Sequence, residues 1–276
     1  MPARNFREML EARWTQNHFV CVGLDTDYPK IPEAAHKGSV VETMFRFNCA
    51  IVDATYDLVC AYKPNIAFYE AQGLEGLSAL SRTTTYIREA APEVPIILDA
   101  KRADIGNTNK GYIQAAFQTF KADAVTVNPY LGGEALQPFL DQVDKGIIVL
   151  CRTSNPGAGE FQDLKVDGVP LYLIVARRVA NEWNKNGNCG VVVGATYPEE
   201  LREVRREVGD MPILLPGIGD QGADVEATVT AGKDSRKRGI IVNSARAIIF
   251  ASKGPDFAEA ARQKTLELHN MINQYR

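Results

Sequence analysis

The residues best suited to chemistry sit in one short run, Asp99-Ala100-Lys101-Arg102-Ala103-Asp104-Ile105-Gly106-Asn107-Thr108. It continues the apolar stretch Pro95-Ile96-Ile97-Leu98, which reads as a strand. Side chains two apart on a strand share a face, so Asp99 and Lys101 are predicted to point the same way. Arg102 should face oppositely and serve the rim or a neighbouring helix. Asp104 falls just past the strand, and Thr108 falls in the first turn of the next helix. Taken alone, this D-x-K-x-x-D pattern suits a strand-end salt bridge leading into a helix as well as it suits a reaction centre. Lys63 weighs toward the reaction centre. It ends the apolar run Val59-Cys60-Ala61-Tyr62, where a charge needs a partner. Two lysines and two aspartates make a formally neutral, alternating array. In such an array a fixed cationic Lys101 is a proton donor, and a fixed anionic Asp99 repels any substrate carboxylate set beside it. The three histidines (18, 36, 269) are not paired at catalytic or metal spacing, and no C-x-x-C, H-E-x-x-H or EF-hand pattern occurs. Lysines, carboxylates and arginines must therefore carry the chemistry, and no metal is expected.

Something must hold these residues together. Short β-branched runs recur near 19–25, 59–63, 95–101, 123–128, 146–152, 189–194, 211–216 and 239–243. Helix-compatible stretches separate them, at 40–57, 70–91, 106–121, 132–142, 168–186, 198–208 and 222–231. A last helix is predicted at 256–274, and an extra one at 4–16 precedes the first strand. Strands that return through helices pair in parallel. A doubly wound open sheet could hold eight of them. A closed (β/α)8 TIM barrel uses eight by construction, at about 250 residues, and is the favoured fold for this α/β chain. No linker or low-complexity tract divides the 276 residues, so residues 1–276 are predicted to form a single catalytic domain.

The remaining composition excludes several classes. A hydrophobic fraction of 45% with 24% charged residues is ordinary for a globular chain and argues against disorder. The formal net charge of −3 gives no polybasic field to attract nucleic acid or a membrane surface. The apolar runs fall far short of the roughly 18 residues that a membrane span needs. The N-terminus alternates charge and has no apolar core, so no signal peptide is read. Five scattered cysteines (21, 49, 60, 151, 189) read as buried core thiols, which suits a reducing, cytoplasmic location.

A barrel also says where to look, because its active site lies at the C-terminal ends of the strands. The loops after strands seven and eight often bind phosphate, and here they supply Gly217, Gly219, Gln221, Gly222 and Arg246. Glycines let backbone N–H groups approach an anion, and an arginine can fork two phosphate oxygens. A G-x-G alone also suits a tight turn; joined to an arginine just past strand eight it points to a phosphorylated ligand. After strand five, residues 153–159 form either a long surface loop or a recognition loop whose Ser154 reads a ring amide, with glycines that would let it move. Asp25, ending strand one, is either a turn cap or an acceptor for sugar hydroxyls. The tryptophans, Trp14 and Trp183, read as packing residues.

With these residues in place, the chain resembles the orotidine 5′-phosphate decarboxylase family. The run 99–108 is similar to that family's signature. The likeness continues through CVGLD (21–25), AYKPN (61–65), TVNPYLG (126–132), TSNPGAG (153–159), VVVGAT (191–196), PGIGDQG (216–222) and NSARAI (243–248). It spans nearly the whole chain in order and is greatest to the longer, bacterial-type branch. The resemblance implies decarboxylation of orotidine 5′-monophosphate to UMP, the last step of pyrimidine nucleotide synthesis, with no cofactor. It implies that Lys63, Asp99, Lys101 and Asp104 form the charged catalytic array. It implies a homodimer in which Asp104, Ile105 and Thr108 reach the partner's site. Asp25 and Lys63 would contact ribose hydroxyls, Ser154 the pyrimidine amide edge, and Gln221 and Arg246 the phosphate. Asn155 stands where histidine is common after the serine, and Ser244-Ala245 precede Arg246 where glycine is common. Both departures touch the loop and the phosphate contacts, not the Asp/Lys array. Two other functions stay open on the residues: a metal-requiring sugar-phosphate lyase or synthase on a related barrel, and a nucleotide sensor that binds UMP without turnover.

Overall fold

The computed structural model describes residues 4–218 and 224–276. Eight strands form one sheet: β1 (Val20–Leu24), β2 (Val59–Pro64), β3 (Ile97–Arg102), β4 (Ala124–Val127), β5 (Gly146–Arg152), β6 (Cys189–Val193), β7 (Ile213–Pro216) and β8 (Ile240–Ser244). Each ladder is parallel, and the spatial order is β2-β1-β8-β7-β6-β5-β4-β3. The two outer strands of that order meet through the parallel bridges Tyr62–Ile96 and Asn65–Asp99, so the sheet curls into a nearly closed (β/α)8 barrel. The eight strands fall within the predicted runs to one or two residues. Their residues are almost all buried, as expected where a parallel sheet is covered on both faces.

The principal helices are α1 (Phe6–Thr15), α2 (Val40–Thr55), α3 (Gly73–Ala90), α4 (Gly106–Ile113), α5 (Gly132–Leu140), α6 (Leu171–Arg178), α7 (Pro198–Val208), α8 (Val225–Gly232) and α9 (Phe257–Tyr275). Local chemistry sets several of their starts. Asn5, Ser39 and Asp224 each accept a backbone N–H of the first turn through their side chains. Two predicted helices differ from the expectation. The stretch 106–121 passes from α4 into a π-helical turn over Gln114–Thr119. The stretch 168–186 begins instead as a β-ribbon, Lys165–Val166 against Val169–Pro170, before α6 and a π-helical turn over Val179–Trp183. The ribbon's turn is Asp167-Gly168, both at positive φ, a pair that closes a two-residue hairpin and leaves the helix to start after Pro170.

The extra N-terminal helix closes the bottom of the barrel, opposite the strand ends that carry the polar residues. Phe6, Leu10 and Trp14 on α1 are buried. The Trp14 indole donates to the Ile240 carbonyl at 2.9 Å, at the start of β8. Gly146, at the start of β5, has no room for a side chain: a β-carbon there would lie 2.2 Å from the Phe6 ring. Arg13 donates to the carbonyls of Val59 and Tyr56, and Arg4 pairs with the buried Asp123 carboxylate at 2.6 Å. Asp123 in turn accepts the Ile96 N–H at 2.9 Å, which ties the starts of β3 and β4 together. The cysteines on β1, β2, β5 and β6 are buried, Cys49 on α2 is half-buried, and all five are free thiols. Replacing Trp14 by alanine removes the largest member of the bottom plug and orphans the Ile240 carbonyl. Urea unfolding of Trp14→Ala is expected to show a loss of about 3–5 kcal/mol of stability; a loss under about 1 kcal/mol would contradict the plug.

Candidate active site

The strand ends bring three of the predicted charged side chains to one point. Lys63 closes β2, where its apolar neighbours leave it 3% exposed. Asp99 and Lys101 lie on β3. The Asp99 carboxylate is shared: its Oδ2 accepts from Lys63 Nζ at 3.1 Å and its Oδ1 from Lys101 Nζ at 2.7 Å. Asp25, just past β1, stands 3.7 Å from Lys63 Nζ through its Oδ1. The order across the barrel mouth is therefore Asp25, Lys63, Asp99, Lys101, with charges alternating. Burial by itself would push the Asp99 carboxyl up, but the two ammonium groups and their hydrogen bonds outweigh it and hold the group well below the usual carboxylate range. Burial likewise would lower Lys63, and Asp99 and Asp25 together hold it above its ordinary value. Beneath them burial pushes the Cys21 thiol up to about 12, which leaves it inert.

Simple strand alternation is not what joins Asp99 to Lys101. Leu98 pairs with Val125 and Arg102 with Val127, so three residues of β3 stand opposite one of β4. Within this bulge Lys101 has φ of +46°, and its ammonium curls back onto Asp99. Arg102 meets neighbouring helices, one of the two expected settings: it pairs with Glu70, on the short helix Ile66–Glu70, at 2.7 Å and rests over the Tyr112 ring of α4.

Asp104 is not part of the cluster within one chain. Its carboxylate accepts the Ile105 N–H at 2.7 Å, and its own N–H donates to the buried Asn109. Among the described residues it makes no ion pair, and the carboxylate beside Lys63 that completes the local array is Asp25. Ile105 is 62% exposed, an unusual setting for an isoleucine, and Thr108 is exposed one turn along α4. Gln221, Gly219 and Gly222 lie outside the described residues.

The array opens onto a cavity of about 410 Å³. Asp25, Lys63 and Asp99 line it, as do Ser154, Gly217 and Arg246, so the predicted ring-reading and anion-binding groups share one space with the charges. Gly194 permits the placement of Ser154, because a β-carbon there would fall 2.7 Å from the serine's own. The loop that carries Ser154 is tied at its base: Arg152 pairs with Asp163 at 3.1 Å and lies over the Tyr197 ring, and Gln162 accepts the Thr153 N–H at 2.8 Å. Gly217 takes φ of +102°, which glycine adopts readily. Two lining residues escaped the sequence reading, Lys30 and Phe68. Asn65 and Asn243 also line the cavity; both fall in runs that carry the family resemblance, but neither is given a role there. Lys30 sits on a one-turn helix that no periodicity announces.

A roomier cavity of about 810 Å³ lies on the side of the barrel, walled by Leu150, Phe161, Leu171, Tyr172, Val175 and Trp183. Its charged members, Arg178 and Glu182, pair with each other at 2.5 Å, so it offers no poised acid or base. The smaller cavity is the one lined by Asp25, Lys63 and Asp99. Among the described residues, no three His, Cys, Asp or Glu side chains gather as a metal site, and no helix is long and apolar enough to cross a membrane.

Known proteins carry the same arrangement of chain. The orotidine 5′-phosphate decarboxylase of Cellvibrio japonicus is 50% identical over 98% of both chains. Among solved structures, Leishmania donovani OMP decarboxylase superposes with a TM-score of 0.83 at 34% identity, over 98% of this chain and 99% of that one. Leishmania donovani UMP synthase superposes with a TM-score of 0.88 at 36% identity; the match takes in 99% of this chain and 57% of that longer one. Residues 18–263 match the model of a single family, and on that match and these identities the chain belongs to the orotidine 5′-phosphate decarboxylase / HUMPS family.

Proposed function

We propose that this protein is an orotidine 5′-phosphate decarboxylase, a carbon–carbon lyase that converts orotidine 5′-monophosphate to UMP and CO2 in de novo pyrimidine synthesis. One observation carries the reading: a mostly buried carboxylate clamped between two ammonium groups, in a cavity that also holds an arginine placed beyond strand eight. Loss of CO2 breaks the bond between C6 and the carboxyl carbon and leaves the electron pair on C6. Lys101 stabilises that charge as it grows and then passes its proton to C6, after which water returns a proton to the amine. Asp99, beside the substrate carboxylate, disfavours the bound ground state more than the transition state, in which that charge is leaving. Lys63 keeps Asp99 ionised and, with Asp25, meets the ribose hydroxyls. Ser154 reads the amide edge of the ring. Arg246 and Gln221 take the phosphate, whose binding energy helps to exclude water at C6.

The whole chain acts as one catalytic barrel, and two copies complete each other. In this reading Asp104, Ile105 and Thr108 serve the partner's site. The exposure of Ile105 and the lack of any ion pair to Asp104 among the described residues support it. The cytoplasm is the expected location. The array works without cofactor or metal, which separates the proposal from a metal-requiring sugar-phosphate lyase or synthase.

The test is the ultraviolet change as orotidine 5′-monophosphate is consumed, with a chelator present. Turnover is expected to persist. Lys101→Ala should abolish it in folded protein that still binds UMP, whereas Arg246→Ala should mainly weaken UMP binding. Dependence on a divalent metal, near-normal turnover by Lys101→Ala, or unchanged UMP affinity in Arg246→Ala would each contradict the assigned role. A second experiment addresses the shared site. Mixed Asp104→Ala and Lys101→Ala chains should regain activity, because each mixed dimer holds one intact site. No recovery in confirmed mixed dimers would show that each chain is self-sufficient.

A further inference from the structure

Thr126, on β4, touches every part of the bulge in β3. Asp99, Ala100 and Lys101 all stand opposite this one residue, so the β4 ladder offers no regular partner to the N–H groups of Ala100 and Lys101. The Thr126 hydroxyl takes over. It accepts the N–H of Ala100 at 3.1 Å and that of Lys101 at 3.0 Å, and it donates to Asp99 Oδ1 at 2.9 Å. With two N–H groups directed at the oxygen, the hydroxyl proton has the carboxylate as its acceptor. Thr126 is buried, so water does not compete. Lys101 meanwhile occupies a left-handed backbone conformation that crowds a β-carbon, and such a conformation persists only where its surroundings fix it. The same carboxylate oxygen that Thr126 holds also receives Lys101 Nζ.

We propose that Thr126 is a positioning residue for the reaction: through one hydroxyl it fixes the backbone of Lys101 and the carboxylate of Asp99, and so sets where the proton donor and the repelling charge meet C6. The proposal rests on the decarboxylase reading. It differs from a packing role, because valine fills the same space without the hydroxyl.

Three measurements on the parental protein, Thr126→Val and Thr126→Ser test it. In steady-state turnover of orotidine 5′-monophosphate, Thr126→Val is expected to lower kcat about 100-fold with little change in KM, the scale of loss from a small misplacement of a reacting group. Thr126→Ser, which keeps the hydroxyl, should stay within several-fold of parental kcat. Exchange of the Ala100 and Lys101 amide protons, followed by NMR, should speed up in Thr126→Val and stay near parental in Thr126→Ser. If Thr126→Val gives no folded protein, Thr126→Ala makes the same comparison. Parental kcat in the hydroxyl-free variant, or equal losses in the valine and serine variants, would overturn the role. If the parental protein fails to turn over the substrate, the decarboxylase reading falls. The amide exchange then still judges Thr126: unchanged protection without the hydroxyl would overturn its hold on the bulge.

Discussion

A carboxylate that loses most of its water must gain compensating partners, and at Asp99 the partners are two ammonium groups, Lys63 from β2 and Lys101 from its own strand. Each contact is within hydrogen-bond range, so the charge is held by geometry as well as by field. The arrangement leaves Lys63 locked and buried while the Lys101 side chain is half exposed toward the mouth. One lysine thus serves the electrostatics of the site and the other stays accessible to a ligand. Removing Asp99 would leave Lys63 buried with only the more distant Asp25.

The scaffold makes this possible by concentrating its irregularity at one end. At the bottom, Trp14, Phe6 and the Arg4–Asp123 pair lock the strand starts with no room to spare at Gly146. At the top, β3 abandons regular pairing just where Asp99 and Lys101 lie, and β2 meets β3 through isolated bridges instead of a full ladder. A bulge re-aims side chains that a regular strand would fix by alternation. Packing holds the strand starts below, and hydrogen bonds set the few strained residues above.

Much of this was legible in the chain itself. The eight apolar runs and their helical spacers map onto the barrel because parallel strands buried on both faces must be apolar throughout. Lys63 stood out because a lysine ending Val-Cys-Ala-Tyr has few places to go. The pairing of Asp99 with Lys101 was foreseen, but its cause was not: two-residue alternation knows nothing of Thr126, twenty-five residues away, whose hydroxyl replaces the missing ladder bonds. The Asp167-Gly168 hairpin carried a recognisable turn pair that helical periodicity on its C-terminal side obscured. The sequence reading sets Asp104 in the charged array and at the partner's site together; within one chain, the second carboxylate beside Lys63 is Asp25.

The central claim is that Asp99 is ionised by its two lysines. Titration of its side-chain carboxyl carbon by NMR, assigned against Asp99→Asn, addresses it directly. The clamp requires the resonance to hold its ionised position while pH falls through about 4, where an ordinary aspartate takes up its proton. A midpoint at or above that value would mean that the ammonium groups do not govern the carboxylate, and the account would fail.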